Sequence, residues 1–257
     1  MSSLEFYQLP LEEVSCKAGF TSTVNFDLST YVNIWQSLSN KYPRIRDIGQ
    51  IDMTNNLGII NISNGTQGVT LESDDVQIDM QPNMVVAKWT NRIGRPYARY
   101  ASLREALNDC LTAIEKLNIQ PGIEVMYVNM AYLHTVVPPF NTDLREHVSR
   151  LIQPGFLPSA VSAQSLHDYN VGWRIENIMD HRVIIQNTAI GMVRYEKGQV
   201  KTVHEQAMRL ITVTGKQLVD GATACATLDE VHNAEQDLFL EMITDYAKEQ
   251  WGYASGN

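Results

Sequence analysis

The closing segment, residues 227–251, constrains this fold most, read against the long extended runs that precede it. Leu228, Val231, Leu238, Met242, Ile243 and Tyr246 fall on one side of a 3.6-residue repeat, and Phe239 widens the stripe. Thr227 and Glu230 stand at capping-box spacing, which predicts a helix start there. A helix with one apolar side needs an apolar surface to lie on. Residues 166–179, 182–195 and 200–214 supply extended runs for that surface, and Glu196-Lys197-Gly198-Gln199 reads as the turn between the last two.

The first half repeats the order of strands before a helix. Residues 11–20 read as a strand entered through Pro10. Asp27 or Ser29 then caps a helix with Tyr31, Ile34, Trp35 and Leu38 on one face, and Pro43 ends it. Extended segments follow at 45–53, 57–63, 68–72, 76–80 and 84–92, separated by turn residues such as Asn64-Gly65 and Pro82-Asn83. Ser102 and Glu105 have capping-box spacing and open a second helix, with Leu103, Leu107, Cys110, Leu111, Ile114 and Leu117 as its stripe. Residues 125–133 are a strongly apolar strand.

The expected class is α+β, with two related antiparallel-sheet units, each carrying a long helix across its sheet. The sheets either stay separate or join into one curved sheet. Residues 1–135 form the first unit. Residues 136–159 form a Pro-rich linker around a short helix at 143–152, bracketed by Pro138, Pro139, Pro154 and Pro158. Residues 160–257 form the second unit.

Composition narrows the setting. No window approaches 18 uninterrupted apolar residues, so no membrane span is expected. Residues 1–10 have neither a basic nor an apolar leader region, which predicts a cytoplasmic protein. Cys16, Cys110 and Cys225 are odd in number, far apart and set in apolar segments, so buried reduced thiols are expected. The net charge of −9 opposes phosphate binding and favours a basic or uncharged partner.

Several short patterns resemble one family. They are Leu9-Pro10-Leu11-Glu12-Glu13-Val14, Lys41-Tyr42-Pro43, the aromatic Tyr97 and Tyr100, and Tyr127-Val128-Asn129. The closing Leu228-Asp229-x-x-His232 and Phe239-x-x-x-Ile243-Thr244-Asp245 complete the set. Together these resemble a sporadically distributed bacterial family of uncharacterised proteins of about this length. The resemblance implies no established reaction, so no catalytic residue is carried over from it. The family's patchy distribution is like that of mobile or defence-linked genes.

Two groups of residues carry candidate chemistry. Asp229, His232 and Glu235 are spaced three apart on the last helix, close enough to share a proton or a cation. Their structural reading is that Asp229 complements the helix dipole, His232 bonds a neighbouring strand or loop, and Glu235 faces water. Thr244 inside the same helix is expected to bond back to the preceding turn. The second group, Trp89, Arg92, Arg95, Tyr97, Arg99 and Tyr100, interleaves aromatics with arginines, a mixture favoured at protein interfaces and also suited to stacking on single-stranded nucleic acid. His134, His147, His167, His181 and His204 are scattered over separate elements. No Gly-x-Ser-x-Gly elbow, phosphate loop or zinc-type Cys/His spacing occurs. No catalytic residue, metal ligand or cofactor is therefore assigned.

The expected function is non-catalytic: a cytoplasmic protein that binds a protein partner or itself, in an antitoxin, immunity or phage-defence accessory role. Two alternatives stay open. One is a small-ligand or catalytic pocket between helix and sheet near His232. The other is a nucleic-acid-binding accessory subunit.

Overall fold

The computed structural model describes residues 5–6, 9–24, 26–47, 68–91, 97, 99–117, 124–139, 142–157, 169–175, 179–196, 198–217 and 224–254. The extended segment expected at 57–63 lies outside them. Chain order begins with β1 (Glu5–Phe6), β2 (Leu11–Phe20), α1 (Leu28–Leu38), β3 (Arg44–Asp47), β4 (Val69–Glu72), β5 (Gln77–Gln81) and β6 (Met84–Thr90). It continues with α2 (Tyr100–Lys116), β7 (Val125–Val136), α3 (Leu144–Leu151), β8 (Tyr169–Ile175), β9 (Met179–Glu196) and β10 (Gln199–Gln217). It closes with α4 (Ala224–Met242), α5 (Asp245–Gln250) and β11 (Tyr253–Ala254). Among the described residues, nine strands are hydrogen-bonded in the order β3-β4-β5-β6-β2-β7-β10-β9-β8, a large antiparallel sheet. The class is α+β, and no helix among the described residues is long and apolar enough to cross a membrane.

The chain divides into two compact units, each discontinuous in sequence. The first comprises Val14–Met130 and Gly215–Val231, and the second comprises Met1–Glu13, Ala131–Thr214 and His232–Asn257. Of residues 136–159, read from the sequence as a linker, the described ones (136–139 and 142–157) lie inside the second unit. Their prolines bracket α3, whose Leu144, Val148 and Leu151 are buried in that unit's core.

In the first unit, strand alternation does what a half-covered sheet requires. Val14, Cys16 and Ala18 of β2 are fully buried while Ser15 and Lys17 between them are partly exposed. Asp27 caps α1 by accepting from Thr30 N at 2.7 Å, and Trp35 Nε1 donates to the Tyr42 carbonyl beyond the helix end. The α2 stripe is buried as its spacing predicts, at Leu103, Leu107, Cys110 and Ile114, but Leu117 is 42% exposed. The helix starts three residues earlier than the capping box implies. Arg99 is the N-cap without a side-chain bond, and the carboxylate of Glu105 accepts from Lys41 Nζ at 2.6 Å instead. An incoming ammonium outbids the helix's own backbone donor for that carboxylate.

In the second unit the core joins Val136 of β7, Val183 and Ile185 of β9, and Met208 and Leu210 of β10 to Leu238, Phe239 and Met242 of α4. The closing helix begins at Ala224, so Thr227 is a buried residue of its first turn, not a cap. It also does not run unbroken to Trp251. Ile243 leaves the helix and bridges Ile152, and Thr244 starts α5 by accepting from Ala247 N at 3.2 Å. The Thr244 hydroxyl donates to the Arg150 carbonyl and makes no bond back along α4. Tyr246, expected on the apolar stripe, is 38% exposed because the stripe changes helix before reaching it.

Candidate functional site

Asp229, His232 and Glu235 share one helix, yet each is committed to different partners. Asp229 lies in the first unit. Arg104 clamps it in a bidentate pair, Nε to Oδ1 at 2.7 Å and Nη2 to Oδ2 at 2.9 Å. The Tyr100 hydroxyl donates to the same Oδ1 at 2.7 Å. Burial and that carboxylate both raise the Tyr100 pKa, so the phenol stays protonated. One turn away, Cys225 Sγ donates to Asn108 Oδ1 at 3.3 Å, and burial pushes its thiol up. Glu230 pairs with Lys216 at 2.6 Å, so it does not complete the expected capping box.

His232 and Glu235 lie in the second unit. His232 is half-buried, with Nδ1 3.3 Å from the Tyr132 hydroxyl. Glu235, expected to face water, is instead fully buried. The reason is its place on the covered side of α4, four residues before Phe239, above the hydroxyls of β10. Thr214 Oγ1 donates to Glu235 Oε2. The Thr212 hydroxyl also pulls the carboxyl pKa down, and among the described residues Oε1 has no well-aligned hydrogen bond. Burial outweighs both hydroxyls and raises the Glu235 pKa to about 7.

Beneath this carboxyl, His181 of β9 sets Nδ1 3.0 Å from Thr214 Oγ1. Burial holds its imidazole below the usual range, opposed by Asp180. Next to it runs a stack of rings. His134 of β7 lies 4.8 Å from Phe239 with planes 10° apart, and Trp251 stacks on both. Neither nitrogen of His134 makes a well-aligned hydrogen bond. Burial lowers its pKa to about 4, against a weaker opposing pull from the Leu210 backbone.

Sequence spacing leaves His134 and His181 as scattered histidines and gives Thr212 and Thr214 no role, so it does not bring this set together. A signal did exist. Met208, Leu210, Thr212 and Thr214 occupy same-face positions of one strand, so two hydroxyls continue a row of core residues.

The Trp89–Tyr100 group separates on inspection. Trp89 is a core residue, 4% exposed, and packs edge-on against Tyr97 at 5.0 Å and 71°. Tyr97 and Tyr100 are half-buried, and Arg99 is exposed. Arg92 and Arg95 lie outside the described residues. Glu105 and Asp109 on α2 are bound by Lys41, at 2.6 and 2.8 Å.

Cys16 and Cys110 are buried free thiols and Cys225 is a partly buried one. Burial pushes the Cys16 thiol up to about 12. Among the described residues no cluster of three or more His, Cys, Asp or Glu could hold a metal ion. No protein-family model and no curated protein matches the chain.

Proposed function

We propose that this is a non-catalytic cytoplasmic protein whose work is to bind another protein chain or a second copy of itself. The observation that carries the reading is the separate commitment of Asp229, His232 and Glu235. The Asp229 carboxylate is clamped by Arg104, His232 meets a phenol, and Glu235 is sealed under its helix. Groups already held by protein partners serve to seat a helix and leave no reacting atom a place to approach.

The contact surface in this reading centres on Arg99, which is exposed between the half-buried Tyr97 and Tyr100. The Trp89–Tyr97 ring pair gives that stretch a rigid base. An arginine beside anchored aromatics loses little entropy when it meets a partner. An antitoxin, immunity or phage-defence accessory role is the version that agrees with the family resemblance. We read the two units as structurally related, with α2 over the strands of the first and the second half of α4 over those of the second.

The test is sedimentation of the purified chain together with co-purification from its native host. A stoichiometric complex, of two copies or with another chain, is expected, and Arg99→Glu weakens it by about tenfold or more. A monomer that recovers no stoichiometric partner contradicts the reading.

A further inference from the structure

The Thr214 hydroxyl has one hydrogen and two neighbours that want it. Glu235 Oε2 accepts from it on one side, and His181 Nδ1 sits 3.0 Å away on the other. A hydroxyl donates once, so the state of one neighbour dictates the state of the other. When Glu235 is a carboxylate, Thr214 donates to it, and His181 must carry its hydrogen on Nδ1 to donate to Thr214. When Glu235 is a carboxylic acid, it donates to Thr214. The hydroxyl then turns to donate to Nδ1, and the imidazole carries its hydrogen on Nε2. The two ends also differ in access, since Glu235 is fully buried while His181 keeps 6% of its surface exposed.

We propose that His181, Thr214 and Glu235 form a proton relay through which the carboxyl sealed under α4 gains and loses its proton without the helix lifting. Uptake runs inward. A proton from solvent binds His181 Nε2, the Nδ1 proton passes to Thr214, and the Thr214 proton passes to Glu235 Oε2. Three O–H or N–H bonds form and two break, with one solvent proton taken in. Release runs the same steps in reverse.

The relay links three elements, β9, β10 and α4. On the covered face it has few titratable neighbours among the described residues. These are His134 of β7 with the Tyr132 phenol beside it, His181 itself on β9 and His232 on α4, while β10 contributes only the hydroxyls of Thr212 and Thr214 and β8 the ring of Trp173. The nearby ions Asp180 and Arg174 pair with each other. Among the described residues no lysine or arginine pairs with Glu235, so ionising it leaves an unbalanced negative charge under α4, and the helix seats less firmly as pH rises. The relay is independent of any partner, so it stands or falls apart from the proposed function.

The test is a pH series on the intact chain, following the His181 ring nitrogens and the Glu235 carboxyl carbon by NMR. The expected result is one shared midpoint. At higher pH His181 is the Nδ1–H tautomer and at lower pH the Nε2–H tautomer, switching as the carboxyl titrates. Thr214→Val removes the hydroxyl, and there the tautomer stops following the carboxyl. If that variant does not fold, the wild-type series decides alone, with Thr214→Ser expected to keep the shared midpoint. An Nε2–H tautomer throughout, or ring nitrogens indifferent to the carboxyl titration, overturns the relay.

Discussion

Ile152 and Ile243 form an isolated antiparallel bridge, and the bonds around it divide the closing segment into two helices. Gln153 N donates to the Met242 carbonyl at 2.8 Å, and Thr244 N donates to the Leu151 carbonyl at 2.9 Å. Met242 and Thr244 thus give a carbonyl and an amide to the residues that end α3, where a continuous helix would have kept them, while Ile243 N still donates to the Phe239 carbonyl at 3.1 Å. Both isoleucines are fully buried, so the bridge itself is shielded from water, while Thr244 beside it is partly exposed.

Thr244 is the side chain this junction depends on. It caps α5 and also donates to the Arg150 carbonyl. Thr244→Ala is expected to lower stability by about 1–2 kcal/mol in urea unfolding, while Thr244→Ser retains most of it. Equal losses in the two variants would show that packing of the methyl group matters and the cap does not.

Glu235 gives a pH dependence with a defined sign. Its folded pKa of about 7 lies above the ordinary glutamate value of 4.5. The stability it contributes is fully present below pH 4.5 and lost as pH rises through about 7. Glu235→Gln removes that titration. The variant should gain on wild type between about pH 5 and pH 8, by up to the order of 3 kcal/mol. Denaturation curves whose difference stays constant over that range would contradict it.

His134 titrates in the opposite sense. Its folded pKa of about 4 lies below the ordinary histidine value of 6.5, so its stability is present above pH 6.5 and lost as pH falls through about 4. His134→Phe keeps a ring between Tyr132 and Phe239 and removes two nitrogens without aligned partners. The variant should match wild type near neutrality and lose less on acidification, by up to the order of 3 kcal/mol. Acid unfolding midpoints that coincide would rule this out.

The hairpin turn tests backbone chemistry alone. Gly198 has φ +79° and open space around its Cβ direction. Gly198→Ala should therefore cost about 1 kcal/mol from backbone strain without any clash. Thermal unfolding that does not change would mean the turn relaxes to a negative φ.

Much of the fold was legible where periodicity speaks for itself. The β2 strand, the Asp27 cap, the α2 stripe and the Gly198 turn follow from residue spacing and turn chemistry. The misreadings share one physical cause, which is competition from residues distant in sequence. Glu105 and Glu230 have capping-box spacing but meet Lys41 and Lys216. The apolar stripe runs past Thr244 and predicts one helix, and the α3 backbone that ends α4 leaves no mark in that stripe. Glu235 was assigned to water because a lone glutamate on a helix usually is there, and the hydroxyls that receive it are about twenty residues away on β10.

Whether Asp229 and Glu235 act separately or as one site is the most direct question, and a double-mutant cycle answers it. Urea unfolding of Asp229→Asn, Glu235→Gln and the double variant gives their coupling energy. The two residues are six apart on α4, about 9 Å along its axis, and share no partner among the bonds described. Additivity within about 0.5 kcal/mol is the expected result. A coupling above about 1 kcal/mol would show that these side chains converge after all, and would contradict a helix held by separate commitments.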